Sequence, residues 1–308
     1  MDALSEVLRL ARFNASVTLD ATARAPWCVA VPASSSGRAH IVVDGECTLK
    51  ATGAEAITLK AGEVAYIPRG EAHLIGSSLD VDAKPISALV KTPVAGEMMP
   101  ISIGEDGPAT RWIAIATSCE RHLAEPLIAS LPPVIKVDLH NASALLWLID
   151  AMGLTLSASA APPVGATAAR ARLAELVVIE ALSRYVDWLP PGGKGWLAGL
   201  GDRFVGRALA LVHGRPSEPW TVERLGRQVG LSRSALAERF GDVMGEPIFA
   251  FLTRWRLLMA AEFLLTTTRP IAAIAHEAGY ESAGAFSVAF KRVFGKPPSI
   301  WRRKSRRK

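Results

Sequence analysis

Residues 274–297 read IAHEAGYESAGAFSVAFKRVFGKP, and this stretch decides the architecture of the C-terminal third of the chain. Apolar residues recur at helical spacing on both sides of a GYES corner. Gly279 stands where the first helix must end, because glycine adopts the left-handed cap conformation at little cost. Ser282, or Glu281 just before it, is suited to cap the second helix. The pattern therefore predicts two helices joined by a short turn.

The same pattern occurs a second time upstream. LAERFGDVMGEP at 236–247 aligns with FSVAFKRVFGKP at 286–297 at an offset of 50 residues, and LGRQVG at 225–230 aligns with IAHEAG at 274–279 at an offset of 49. Each copy predicts a helix-turn-helix, whose second helix is presented to the major groove of DNA. One helical hairpin alone is better explained as part of an α-helical core. Two copies, separated by a predicted amphipathic helix over 247–267, favour a domain with two DNA-binding helix-turn-helix units, a double DNA reader.

The charge is divided unevenly along the chain. From residue 201 onward there are 19 Lys and Arg against 9 Asp and Glu, a balance of +10. The first 200 residues hold the remaining 16 and 20, a balance of −4. A basic C-terminal third predicts a polyanionic partner there. The tail WRRKSRRK on its own is equally well explained as a solubilising extension.

Composition argues against several other classes of protein. The three cysteines, Cys28, Cys47 and Cys119, are odd in number and widely spaced, which favours a reducing compartment over a disulfide framework. The sequence contains no CxxC pair, which argues against a zinc finger. The apolar stretches are too short or too interrupted to span a bilayer, and the N-terminus lacks the pattern of an export signal. We therefore expect a cytoplasmic protein with no membrane partner.

The N-terminal part has the composition of β-strands. Residues 27–137 contain short Val, Ile and Thr runs broken by Gly, Pro, Ser and Asp, as in HIVVDGECTLKATG at 40–53. Runs of this length predict an antiparallel barrel or sandwich. Helices are predicted at 141–154 and 168–189, on either side of a loop at 156–167. The second helix would either pair two copies of the chain or cover the barrel.

The expected fold class is α+β, with two domains. Residues 1–190 are predicted to form a β-barrel domain that ends in helices, and it would sense a ligand and dimerise. The stretch PPGGKG at 190–195 marks the boundary. Residues 201–308 are predicted to form an all-α domain with two helix-turn-helix units.

Residues 204–303 resemble the DNA-binding domain of the AraC/XylS family of transcription regulators. The resemblance is carried by TVERLGRQVGLSRSALAERF, LTRWRLLMAAEFLL, RPIAAIAHEAGYESAGAFSVAFKR and FGKPPSIWRR. It implies a sequence-specific regulator that binds double-stranded promoter or operator DNA, with RNA polymerase as a further partner. Activation is the expected mode, and repression stays open. A nonspecific nucleoid protein would bind all sequences equally.

The helix-turn-helix geometry predicts the side chains that touch DNA. Arg233 is the best candidate for base reading, because arginine bonds guanine O6 and N7 together. Basic residues further along each second helix are expected to contact phosphates. Gly284 and Ala285 depart from the family pattern, and small residues there would either weaken base reading or let the backbone approach the DNA. The predicted contacts are Ser232, Arg233, Ser234, Ala237, Glu238, Arg239, Glu281, Ser282, Gly284, Ala285, Ser287, Lys291, Arg292 and Lys296.

The N-terminal part carries a second resemblance. GEVAYIPRGEAH at 62–73 resembles the second motif of cupin barrels, and RAHIVVDGEC at 38–47 resembles a degenerate first motif. Together with the C-terminal resemblance, this implies a regulator with a cupin-type sensor for a small-molecule effector. The candidate pocket residues are His40, Cys47 and His73.

The cupin motifs also depart from the enzymatic pattern. Arg38 stands about where a metal-binding glutamate is expected. His40 and His73, with Cys47 or Cys119, would in principle bind zinc or iron. The simpler interpretation makes the histidines pocket groups and the cysteines core residues. We therefore expect no required cofactor and no enzyme, and the alternative is a cupin metalloenzyme fused to a DNA-binding domain.

Overall fold

The computed structural model describes residues 2–89, 100–104, 106–139, 164–189, 192–215 and 218–305. These residues form two compact units. The barrel unit comprises the described residues within 12–119 and 131–188, and the reader unit comprises those within 1–11, 120–130 and 189–308. None of the helices within the described ranges is both long enough and apolar enough to cross a lipid bilayer.

The described elements before residue 140 are mostly strands, and only helices follow from residue 166. In chain order the elements are α1 (Ala3–Leu10), β1 (Asn14–Arg24), β2 (Cys28–Val31), β3 (Gly37–Asp44), β4 (Glu46–Ala51), β5 (Ile57–Lys60), β6 (Glu63–Ile67), β7 (His73–Gly76), β8 (Lys84–Pro85), α2 (Ile86–Leu89), β9 (Pro100–Ile103), β10 (Ala109–Ser118), α3 (Arg121–Ser130), β11 (Ile135–Asp138), α4 (Ala166–Asp187), α5 (Trp196–Gly201), α6 (Arg203–Gly214), α7 (Val222–Val229), α8 (Arg233–Met244), α9 (Ile248–Thr266), α10 (Ile271–Glu277), α11 (Ala283–Phe294) and α12 (Pro298–Ser305).

The barrel unit consists of two sheets around one core. The first sheet has the strand order β11-β6-β3-β10-β1-β9, and the second has the order β5-β4-β7-β2-β8. Both contribute buried side chains to a shared apolar cluster. Trp27 and Trp112 stack within it, with ring centroids 4.6 Å apart. The α+β fold class and the predicted strand-rich N-terminal part are confirmed.

The predicted helix at 168–189 is present as α4. Its inner face buries Val177, Val178 and Ala181, and the helix packs against β1. Leu176 on another face is 49% exposed. One face of α4 thus covers the barrel, while Leu176 lies on an exposed face. The helix predicted at 141–154 and most of the loop at 156–167 lie outside the described residues.

The reader unit collects helices from three segments of the chain. α1 packs on α6, and α3 contacts α5 and α9. Leu4, Val7 and Leu8 are buried on α1. The sequence analysis placed residues 1–190 in one sensor domain, whereas the structure groups residues 1–11 and 120–130 with the DNA reader. The reason is that these short helices have one apolar face each, and the reader helices cover it.

Candidate nucleic-acid interface and sensor pocket

The first helix-turn-helix consists of α7 and α8. Gly230, at φ 89°, ends α7 in the left-handed conformation. The Ser232 hydroxyl oxygen accepts a hydrogen bond from the Ala235 amide at 3.2 Å and caps α8. Leu236 and Phe240 are fully buried. Cap and core together fix the rotation of α8 about its own axis.

The second helix-turn-helix consists of α10 and α11. Gly279, at φ 83°, follows α10. The Ser282 hydroxyl oxygen accepts from the Ala285 amide at 3.2 Å, so the cap is Ser282 rather than Glu281. Phe286 and Phe290 are fully buried, and their ring centroids are 5.4 Å apart. The two helix-turn-helix motifs therefore share a serine cap and buried apolar residues at equivalent positions.

The structure places nearly all of the predicted DNA-contact residues on the surface. The exception is Ser287, which is half-buried, and its hydroxyl donates to the Ala283 carbonyl oxygen at 2.7 Å. The hydroxyls of Ser232 and Ser282 are used as helix caps. The exposed predicted residues are Ser232, Arg233, Ser234, Ala237, Glu238, Arg239, Glu281, Ser282, Gly284, Ala285, Lys291, Arg292 and Lys296.

Val288 is a residue that the sequence analysis missed. Its side chain is 73% exposed, although valine is apolar. Phe286 and Phe290 point into the core, so the residue midway between them points outward. Gly284 precedes Val288 by four residues and Arg292 follows it by four, which places the three on one stripe. The position opposite the two phenylalanines was the signal available in the sequence.

Gly284 has no steric reason to be glycine within the fold. A Cβ atom built there meets only the Ser282 hydroxyl oxygen, at 3.9 Å. Glycine inside a helix is less favourable than alanine by roughly 0.5–1 kcal/mol. A small residue at this exposed site therefore suits a surface that another molecule approaches closely.

Arg239 is already engaged within the protein. Its guanidinium forms an ion pair with the Asp202 carboxylate at 2.7 Å and lies over the Phe204 ring at 5.2 Å. The same carboxylate caps α6 by accepting from the Phe204 and Val205 amides, both at 2.9 Å. Burial by itself would raise the pKa of Asp202, but the hydrogen bonds from Arg239 and the two amides outweigh burial and lower it. A phosphate would have to compete with Asp202 for Arg239.

His40 and His73 meet across the barrel. Their Nε2 atoms are 2.8 Å apart, and both residues are buried. Burial lowers the pKa of both, and the positive charge of Arg38 lowers it further. Cys47 lies in the apolar core, and burial raises the pKa of its thiol to about 12.

The donor set does not fit a metal ion. In the part of the chain that the structure describes, no three His, Cys, Asp or Glu side chains are grouped as a metal site. Of the four candidate ligands, His40 and His73 are hydrogen-bonded to each other. The nearby cation Arg38 would also disfavour a metal.

Comparisons with known proteins agree with both halves of this architecture. The sequence model of a family described as "Cupin" matches residues 2–187, and that of a "Helix-turn-helix domain" matches residues 225–304. A protein of Streptomyces antibioticus described as an AraC-like transcription regulator is 33% identical over 306 residues, covering 98% of this chain and 99% of the relative. The HTH-type transcriptional regulator AlkR of Acinetobacter baylyi is 28% identical, covering 99% of this chain and 100% of that protein. This chain belongs to the AraC-like transcription regulators, with a cupin domain followed by a helix-turn-helix domain.

Proposed function

We propose that the protein binds a specific promoter or operator site with α8 and α11 in successive major grooves. The observation that carries this proposal is the equivalence of the two helices. Each has a serine cap and exposes one face, while α8 buries Leu236, Phe240 and Met244 and α11 buries Phe286 and Phe290. The connecting helix α9 has 19 residues and is therefore about 28 Å long. That length is comparable with the roughly 34 Å between major grooves on one face of DNA.

The two helices would read different bases. Arg233 at the start of α8 is suited to guanine, and Glu238 is suited to accept from the cytosine amino group. On α11 the outward stripe of Gly284, Ala285 and Val288 offers apolar surface, which suits the methyl group of thymine. Gly284 would let the helix backbone approach the base edges.

Basic residues at the end of α11 would hold the DNA backbone. Lys291, Arg292 and Lys296 are exposed. Lys291 and Arg292 lie about one turn after Val288, and Lys296 follows Gly295, the C-cap of α11. Each phosphate contact adds roughly 0.9 to the slope of log affinity against log salt concentration. These contacts would supply affinity and orientation, while the base contacts supply specificity.

The barrel unit would bind a small-molecule effector and control the reader. An effector acts by favouring one conformation, which requires a different affinity for two states of the protein. The relatives are named as regulators, and Arg38 occupies the place of the expected metal-binding glutamate. Both support a sensor without catalytic activity or a required cofactor.

Further partners follow from the same assignment. The exposed outer face of α4, around Leu176, would pair two copies of the chain into a homodimer, and light scattering that finds only monomer would contradict this. As a regulator that works beside RNA polymerase on the chromosome, the protein would act in the cytoplasm, as an activator.

Selection of bound fragments from genomic DNA tests the proposed function. We expect a defined sequence motif, and equal recovery of all fragments would contradict specific binding. Replacing Arg233 by alanine should weaken binding by about 1–3 kcal/mol and relax the preference at one guanine position. Arg24, an exposed arginine on β1, supplies the matched control, because Arg24→Ala makes the same chemical change in the barrel unit. A uniform loss over all sequences in Arg233→Ala would show that Arg233 contacts only phosphate.

A further inference from the structure

Arg256 lies near the middle of α9, the helix that joins the two helix-turn-helix units. The ring centroid of its neighbour Trp255 is 4.1 Å from that of His213 on α6, and α6 packs against α7 and α8. Its other neighbour, Leu257, belongs to the apolar cluster that contains Phe286. Arg256 is half-buried. It therefore stands between a face of α9 that packs on the first unit and a face that packs on the second.

On one side, the guanidinium group of Arg256 anchors the turn that precedes α7. Its Nη2 atom donates a hydrogen bond to the Glu218 carbonyl oxygen at 2.6 Å, and the Trp220 amide donates to the same oxygen at 2.7 Å. The Glu218 carboxylate accepts from Arg224 on α7, also at 2.6 Å, and Thr221 caps that helix. The start of the first helix-turn-helix is thus fixed from α9.

On the other side, the same group lies against the turn of the second helix-turn-helix. A Cβ atom built on Gly279 would be 3.0 Å from Nη1 of Arg256 and 3.5 Å from Cζ. Gly279 has no side chain, so the turn presents its backbone to the arginine. Burial lowers the pKa of Arg256, and the phenol of Tyr280, the next residue of the turn, offsets part of this effect. Two ends of one planar group therefore face two different DNA-reading units.

Apolar packing leaves a cleft beside this arginine. The cleft lies between α9 and α10, has a volume of about 210 Å³, and is lined by Met259, Ile274 and Ala278 as well as by Arg256. Dispersion contacts are lost where a gap separates two surfaces, so apolar side chains alone hold α10 against α9 less firmly here. The guanidinium spans the same place, and charge-assisted hydrogen bonds are about twice as strong as neutral ones.

We propose that Arg256 is a positioning residue that fixes the distance and rotation between α8 and α11, and thereby the operator spacing that the protein accepts. Two linked binding modules gain affinity only when the linkage lets both engage their sites at once. A planar guanidinium has donors on more than one edge, which suits it to join the two turns. This inference rests on the proposed function and adds the residue that determines spacing specificity.

The wild-type protein tests the proposal without any substitution. Fluorescence anisotropy compares a labelled duplex carrying the selected motif with one that has a base pair inserted between the half-sites read by α8 and α11. The insertion separates the half-sites by about 3.4 Å and rotates them by roughly 35°. The full-length protein should bind the inserted duplex at least about tenfold more weakly. Equal affinity for the two duplexes would overturn the proposal.

Arg256→Met keeps an unbranched side chain and removes the guanidinium group. It should weaken binding to the intact motif about tenfold and reduce the penalty for the insertion. A duplex whose α11 half-site is scrambled should be bound as well as by the wild type. Arg254→Met is the matched control and should change none of these measurements, because Arg254 pairs at 2.6 Å with Glu246 beside the start of the same helix.

Arg256→Lys separates positioning from charge. Lysine keeps the positive charge but has a single nitrogen, so this variant should also tolerate the insertion. Full wild-type spacing selectivity in Arg256→Lys would contradict the proposal. So would an equal loss of affinity for the intact and the scrambled duplex in Arg256→Met, since a lost phosphate contact or a poorly folded protein affects both. The absence of any selected motif would contradict the proposed function itself, whereas a defined motif without spacing preference contradicts this inference alone.

Discussion

We expect the buried side chain of His213 to make the stability of the reader unit depend on pH. Its ring is buried between aromatic side chains, with Trp255 at 4.1 Å and Phe251 at 5.5 Å between ring centroids. Burial lowers the pKa of His213 from 6.5 to about 4, and a long contact of Nδ1 with the Ala3 carbonyl oxygen offsets this only in part. The folded protein therefore keeps this imidazole neutral at pH values where the unfolded chain protonates it.

The sign and size of the effect follow from proton linkage. The unfolded state binds the proton near pH 6.5 and the folded state near pH 4. The contribution of neutral His213 to the free energy of unfolding is therefore fully present above pH 6.5 and decreases as the pH falls. At pH 5 the loss is about 2 kcal/mol, and below pH 4 it reaches about 3 kcal/mol, since one pKa unit corresponds to 1.36 kcal/mol. This is a large part of the free energy of unfolding of a typical domain.

Urea unfolding at pH 7 and pH 5 measures this effect. Far-UV circular dichroism is a suitable signal, because the reader unit is built from helices. His213→Phe keeps an aromatic ring at the site and removes the titrating group. Between pH 7 and pH 5 the free energy of unfolding of the wild type should fall by about 2 kcal/mol more than that of His213→Phe. His40 and His73 titrate in both proteins and cancel in the comparison. Identical pH dependence of the two proteins would refute the argument.

Four further predictions follow from the reader unit. Phe290→Ala should cost about 3–5 kcal/mol of unfolding free energy by urea denaturation, whereas Phe249→Ala, at a site 48% exposed, should cost less than about 1 kcal/mol. Gly284→Ala should stabilise the fold by up to about 1 kcal/mol and weaken operator binding, and unchanged DNA affinity would show that nothing approaches Gly284. Val288→Ala should weaken binding by about 1 kcal/mol to a thymine-containing operator, and replacing the contacted thymine by deoxyuridine should abolish this difference. Asp202→Asn should keep the cap of α6, while Asp202→Ala should lower the free energy of unfolding by about 0.5–2 kcal/mol. Equal melting temperatures of the two variants would argue against the cap.

The two helix-turn-helix units were predictable because their signals are local. Gly230 and Gly279 end helices through their own backbone freedom, and Ser232 caps the next helix by a bond to an amide three residues ahead. The apolar residues at positions 236, 240, 286 and 290 follow the helical period. The strands around Gly45 were predictable for the same reason, since a DG corner between two β-rich runs is a short-range signal.

The tertiary structure alone decided which distant groups meet. The bond between His40 and His73 joins residues 33 positions apart, and the Asp202–Arg239 pair joins residues 37 apart. The same holds for α1 and α3, which belong to the reader unit although the chain places them beside the barrel strands. Period and cap chemistry act within a few residues, so the sequence by itself determined the helices, the turns and the DNA-reading architecture. Pairing and burial depend on which surfaces fold against each other, so only the fold revealed that Arg239 is paired with Asp202 and that His40 meets His73.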